Sequence, residues 1–220
     1  ITLGSNATAV APSRSHDGST LLMINSHQPL TGPVSWYEAH LQSGQGLNVM
    51  GGLFIGAPAL GVGFNEHHGW GATVNQPDLV DVYVLEMDPE DDNRYRVDGE
   101  WLELESFDIP IKVLLWGWLP WTVKEKGYRS IHGPVMKTDH GTYALRYAGM
   151  DEIRQVEQWL AMSAATSFEE WREAMALQHI ASFNFVYANA DGDIHFVHNA
   201  MIDRKSTRLN SSHLVISYAV

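Results

Sequence analysis

The stretch that most narrows what this chain can fold into is residues 47–65, LNVMGGLFIGAPALGVGFN, an apolar run interrupted by five glycines. Glycine at that density weakens a helix and suits buried strands whose backbones approach closely. The neighbouring segments read as strands too. Residues 6–11 alternate small apolar and polar side chains, and Leu21-Leu22-Met23-Ile24-Asn25 is a second apolar run. With Asp17-Gly18 between them, they predict a β-hairpin starting at Ser5, which would bring His27 close to the first strand's start.

Pro29 to Pro33 reads as a loop, and Ser35 to Leu41 as a further apolar element. His67 to Asn75 leads into a strand over Pro77–Leu85, and Asp98-Gly99 joins two short strands at Asn93–Val97 and Glu100–Leu102. Asp151–Met162 predicts a helix with Ile153, Val156, Trp159 and Leu160 on one face. Ser167-Phe168-Glu169-Glu170 is a capping box opening a second, whose face carries Trp171, Ala174, Met175 and Gln178. Ser182–Asn189 and Asp193–His198 flank the Asp191-Gly192 turn as a hairpin. Strands before and after a helical pair, with no repeat or linker, predict one α+β domain. Residues 109–121 hold three of the eight Trp residues. That run is too short and too interrupted to span a bilayer; it reads first as core or interface packing, and second as a substrate-facing wall.

The formal net charge is −12, with no Lys/Arg run before the last residues, so nucleic acid and anionic membrane are poor partners. With no Cys, disulfides, zinc–thiolate sites and Cys nucleophiles are excluded. The start has neither an initiator Met nor a signal-peptide pattern and reads as an internal beginning. Residues 203–220 read as a translated sequencing adapter rather than native protein, the alternative being a disordered basic tail. Without that run the balance is 25 acidic residues to 11 basic.

Gly4-Ser5-Asn6, alone, reads as a surface turn. Cleavage of the Gly4–Ser5 bond would instead make Ser5 an N-terminal residue, whose α-amine, with a pKa of about 7.7–8.0, can serve as base for its own hydroxyl. The rest of the chain favours this second reading. Gly4-Ser5-Asn6-Ala7, Asn25-Ser26-His27, residues 36–41 (WYEAHL), residues 63–70 (GFNEHHGW) and residues 182–188 (SFNFVYA), in that order, resemble the penicillin acylase family of N-terminal nucleophile hydrolases. His132-Gly133-Pro134-Val135 also falls in place. The resemblance covers residues 1–202 and implies an αββα layered sandwich, present in part. It further implies that residues 1–4 end a spacer and that residues 5–202 belong to a β-subunit.

By that resemblance the precursor cuts itself before Ser5, and Ser5 attacks an amide carbonyl to form an acyl-enzyme. The backbone N–H of Val74 and the Asn184 amide would hold the oxyanion, and His27 would orient the new α-amine. Asp78, Val80 and Asp81 match a segment that binds structural calcium in some members, through two carboxylates and a backbone carbonyl. The implied enzyme is a periplasmic or secreted acylase that releases an acyl chain from an amine such as a β-lactam nucleus or homoserine lactone. Its partner would be an α-subunit from the same precursor, without which this piece is expected to be inactive. Arg204 cannot be matched to the family's downstream Arg, because it lies in the suspected adapter. Residues 67 and 68 read as packing histidines. Competing readings are a His-rich metal-dependent hydrolase, prompted by His195-x-x-His198, and a non-catalytic ligand-binding module built on the Trp cluster. The first is weak because i and i+3 on a strand face opposite ways.

Overall fold

The computed structural model describes residues 4–201 and the backbone of Ser217 and Tyr218. Residues 1–3, Arg204 and nearly all of the suspected adapter lie outside the described residues. In chain order the strands are β1 (Ser5–Val10), β2 (Leu21–Ser26), β3 (Trp36–Gln42), β4 (Asn48–Phe54), β5 (Val62–Phe64) and β6 (His68–Thr73). Then come β7 (Val80–Leu85), β8 (Met87–Asp88), β9 (Asp91–Val97), β10 (Glu100–Glu103), β11 (Glu105–Leu115), β12 (Leu119–Ser130), β13 (Gly133–Thr138) and β14 (Gly141–Tyr147). Helices α1 (Gln155–Ala164) and α2 (Phe168–Ala176) precede β15 (Ser182–Asn189), β16 (Ile194–Ala200) and the two-residue β17 (Ser217–Tyr218). The α+β expectation holds with strand well ahead of helix. The chain divides into two units rather than the one domain expected: Ile1–Asp78 with Asp151–Val220, and Leu79–Met150.

The first unit is built on a seven-stranded sheet ordered β17-β16-β15-β6-β5-β4-β3. The glycine-rich run forms β4 and β5, and its glycines are needed where the two backbones meet. A Cβ on Gly51 would lie 2.1 Å from the carbonyl oxygen of Val62, a distance no side chain can occupy. One face of this sheet carries Trp70, Phe185 and Tyr187, which pack with Met162 of α1 and Trp171, Ala174 and Met175 of α2 into a solvent-free core. Against the other face lies the β1–β2 hairpin, paired from Ser5↔Ser26 to Val10↔Leu21 as the sequence predicts. Gly69 and Gly71 let it approach: a Cβ at either would stand 2.8 Å from Leu22 or Ile24. The alternation of β6 thus sorts its residues, with Trp70 toward the helices and the glycines toward the hairpin.

Two helix details differ from the sequence reading. Helix α1 starts at Gln155, four residues late, because the Glu152 carboxylate accepts both the backbone N–H and the guanidinium of Arg154 and holds that turn outside the helix. The Arg154 hydrogen bonds hold the Glu152 carboxyl down at about 2. The buried residues of α1 are Gln158, Met162 and Ser163; of the predicted stripe Trp159 packs on the core, while Ile153 is 90% exposed. Gln158 tolerates burial because its Oε1 accepts from the N–H groups of His179 and Ile180. Helix α2 begins as predicted, Ser167 Oγ accepting from Glu170 N–H, but Glu170 reaches back to Thr166 and not to Ser167. Gln178 lies past the helix end, exposed and with φ of 51°.

The second unit contains a five-stranded sheet, β11-β12-β13-β14-β7, and a three-stranded sheet, β10-β9-β8, with a small core of Leu85, Tyr95, Leu104 and Ala144. Asp98 and Gly99, both at positive φ, close the predicted β9–β10 hairpin. His132 stacks on Tyr83 with ring centroids 4.2 Å apart. The Trp-rich run corrects its core reading. It forms the β11–β12 hairpin, with Trp116 and Gly117 at positive φ in its turn, and Trp116, Trp118 and Trp121 are 58–79% exposed.

Candidate active site

The site is assembled within the first unit. Ser5 opens β1 on the side of the hairpin that faces the sheet, together with Ala7, Leu22 and Ile24. Its hydroxyl donates to the carbonyl oxygen of Gly4 at 2.6 Å. The backbone N–H of His27 donates to the same oxygen at 3.3 Å. The carbonyl of the Gly4–Ser5 bond thus accepts from both, and the His27 N–H is the donor that would remain on it if the hydroxyl turned to the carbonyl carbon. The hairpin register explains it: Ser5 pairs with Ser26, so residue 27 reaches Gly4.

The His27 imidazole lies beside this bond. Its Nε2 is 3.1 Å from Asn6 Nδ2 and 3.3 Å from Asn25 Nδ2, and since amide nitrogens only donate, Nε2 is the acceptor. The ring is exposed, with Nδ1 3.5 Å from where a Gly4 Cβ would stand.

Val74 follows β6 directly and lines the same cavity as Ser5. This cavity holds about 300 Å³. Trp36 and Phe54, stacked 4.4 Å apart, form part of its wall with Trp159 and Phe183, and among the described residues no Asp, Glu, Lys, Arg or His lines it. Glycines again set the shape, since a Cβ on Gly52 or Gly61 would press on the Trp36 ring at 3.0 Å.

Asn184, in β15, sits directly across from Thr73 of β6 and His198 of β16. Its Nδ2 donates to Thr73 Oγ1 at 3.2 Å and to the Val74 carbonyl at 3.4 Å. Its Oδ1 lies 2.8 Å from His198 Nδ1. The structure therefore gathers Ser5 with Val74 on one cavity, and Val74 with Asn184 at the end of β6. Thr73 and His198 were missed by sequence reasoning; strand register was the signal that could have found them.

The remaining histidines divide as their strands dictate. His195 packs edge-on against Trp171 and Phe168 toward the helices, while His198 turns to Asn184 on the opposite face. They share no metal-ligand geometry. His68 is buried, its Nε2 donates to the Met162 carbonyl at 3.1 Å, and burial pushes its pKa down to about 4. His67 is exposed, and its carbonyl accepts from Ala190 N–H.

Of the calcium segment, Asp78 closes the first unit while Val80 and Asp81 open β7 of the second. Among the described residues no group of three or more His, Cys, Asp and Glu could hold a metal ion. Nor, among them, is any helix long and apolar enough to cross a membrane.

The penicillin amidase family model matches residues 2–217. The chain is 30% identical over 212 residues to an acyl-homoserine lactone acylase PvdQ of Pseudomonas fluorescens Pf0-1, covering 93% of this chain and 27% of that protein. It is 28% identical over 207 residues to a penicillin G acylase of Escherichia coli, covering 92% and 24%. The solved structure of a thermostable penicillin G acylase from Alcaligenes faecalis superposes with a TM-score of 0.74 at 26% identity, over 88% of this chain and 35% of that one. The chain thus spans about a quarter of the length of the curated relatives it matches. On the match across nearly its whole length, the chain belongs to the penicillin amidase family.

Proposed function

We propose that the protein of which this chain is part is an amide hydrolase that uses Ser5 as an N-terminal nucleophile. The observation that carries the reading is the Gly4–Ser5 bond, whose carbonyl receives the Ser5 hydroxyl and the His27 N–H, with Ser5 lining a mostly apolar cavity. Once the hydroxyl turns from the carbonyl oxygen, attack of Ser5 Oγ on the Gly4 carbonyl carbon would form the C–O bond and break the C–N bond, the hydroxyl proton passing to the departing Ser5 nitrogen, and water would then cleave that ester. The products are a carboxylate on Gly4 and a free amine on Ser5. In the mature enzyme that amine takes the hydroxyl proton as Oγ attacks the substrate amide, and it returns a proton to the leaving amine. The Val74 N–H and Asn184 Nδ2 hold the oxyanion, and His27 orients the amine.

The relatives' names fit an acyl chain removed from a homoserine lactone or a penicillin nucleus. The cavity narrows the acyl half. It is about twice the size of the roughly 150 Å³ apolar cavity that takes up benzene, and the described residues that line it offer a charged acyl terminus no partner. The acyl group is therefore apolar, aromatic or aliphatic. On an αββα reading, the hairpin, the seven-stranded sheet and the two helices would account for three layers, and the fourth and an α-subunit partner would come from the rest of the precursor. A periplasmic or secreted location follows the same reading.

Calcium at Asp78, Val80 and Asp81 fits in ligand type, hard oxygens. It falls short in number, since calcium takes about 6–8, so this segment would form part of a site. A chelator that leaves the thermal midpoint of the full-length enzyme unchanged would remove calcium from the account.

Asn184→Ala in the full-length, processed enzyme tests the acylase reading. With an apolar acyl p-nitroanilide as substrate, kcat should fall about 10²–10³-fold. Turnover near wild type would remove Asn184 from the oxyanion site.

A further inference from the structure

Neither His198 nor Thr73 has a part in the chemistry above, yet both are locked to Asn184. Asn184 Oδ1 only accepts, so His198 Nδ1, 2.8 Å away, must carry a proton and donate to it. At the other end of the amide, Nδ2 donates to Thr73 Oγ1 and to the Val74 carbonyl. Both N–H bonds of Nδ2 thus have an acceptor within reach, and an incoming oxyanion would share or displace one of these long contacts. The three residues are cross-strand neighbours on β16, β15 and β6, so the sheet itself sets their spacing.

We propose that His198 is a positioning residue: its Nδ1–H clamps the Asn184 carbonyl oxygen and so keeps the amide N–H end turned to the reacting carbonyl. This rests on the assignment of Asn184 as an oxyanion donor. The physical need is clear from the side chain. The terminal torsion of Asn is broad and roughly two-fold, and a flipped amide presents oxygen where the oxyanion forms, turning a stabilising dipole into a repelling one. The two orientations are unequal because a flip would set Oδ1 against the Val74 carbonyl, which only accepts, and would require His198 to move its Nδ1 proton to Nε2.

The test is a set of four variants of the full-length enzyme, His198→Phe, His198→Gln, Asn184→Ala and Asn184→Ala/His198→Phe. Each is checked for a processed Ser5 terminus by mass and assayed with phenylacetyl and octanoyl p-nitroanilides. His198→Phe keeps a planar ring and removes the donor. Its kcat should fall about fivefold to tenfold with KM unchanged, since the oxyanion exists only in the transition state. His198→Gln, which can donate from its amide, should recover most of that loss. In the Asn184→Ala background the same His198→Phe change should cost nothing further.

A kcat for His198→Phe within twofold of wild type overturns the proposal. So does an equal loss in both backgrounds, which would mark His198 as general packing. If His198→Phe fails to fold, a kcat for His198→Gln near wild type supports the clamp and one as low as Asn184→Ala overturns it. If Asn184→Ala itself turns over at the wild-type rate, the oxyanion assignment fails and the clamp with it. A large loss in Asn184→Ala with none in His198→Phe removes the clamp alone.

Discussion

Gly71→Ala places one methyl group between the hairpin that carries Ser5 and the strand that leads to Val74. The new Cβ would stand 2.8 Å from Ile24 Cγ1 and 3.2 Å from Ala7 Cβ, where relaxed carbon contacts need about 3.5–4.0 Å. Gly71 is not among the residues at positive φ. In an open strand this change would therefore stabilise the chain by about 0.4–1 kcal/mol through the unfolded state. Overpacking works against that at about 1–3 kcal/mol. It prevails here because Ala7 Cβ is fixed to the backbone and cannot swing away, so the net loss should be about 1–2 kcal/mol. Ile24→Ala removes the closer clashing atom. Urea unfolding of the full-length enzyme should show Gly71→Ala and Ile24→Ala coupling favourably by about 1 kcal/mol. Turnover of Gly71→Ala should fall further than stability alone explains, toward about 10²-fold, since lifting the hairpin by an ångström misplaces the nucleophile. A Gly71→Ala enzyme with wild-type stability and turnover, or strict additivity with Ile24→Ala, would refute the claim that hairpin and sheet are in close register here.

Two other predictions concern the core. His68 is neutral in the fold, with its pKa lowered to about 4 from 6.5, so the unfolded chain binds a proton that the folded chain refuses. Its contribution is complete well above pH 6.5 and is lost as pH falls through 4, on the order of 3 kcal/mol. His68→Gln should flatten the stability profile in that window, and an unchanged slope would contradict the assignment. Trp171 is fully buried against Tyr187 and Phe185, so Trp171→Ala should cost about 3–5 kcal/mol. Its indole N–H has no partner among the described residues. Trp171→Phe should therefore lose much less, as denaturant midpoints would show.

Local signals carried most of the fold. Asp-Gly turns located three hairpins, and the glycine-rich run announced the close passage of β4 and β5. The helix face of α1 was not legible, because Gln158 is buried by hydrogen bonds to His179 and Ile180, residues far along the chain. Its late start depends on a local side-chain bond, Glu152 to Arg154, that competes with the helix. The Trp-rich run misled because apolar composition says nothing of what covers it, and here it forms an exposed hairpin. Ser5 and Asn184 entered the candidate site from the motifs that resemble the family. His198 did not, since what places it beside Asn184 is cross-strand register.

The most direct measurement is the N-terminal sequence and mass of the polypeptide that bears Ser5 in active, full-length enzyme. A terminus beginning Ser5-Asn6-Ala7, lost in a Ser5→Ala variant that stays uncut and inactive, is what the account predicts. An active enzyme in which the Gly4–Ser5 bond is intact would contradict it.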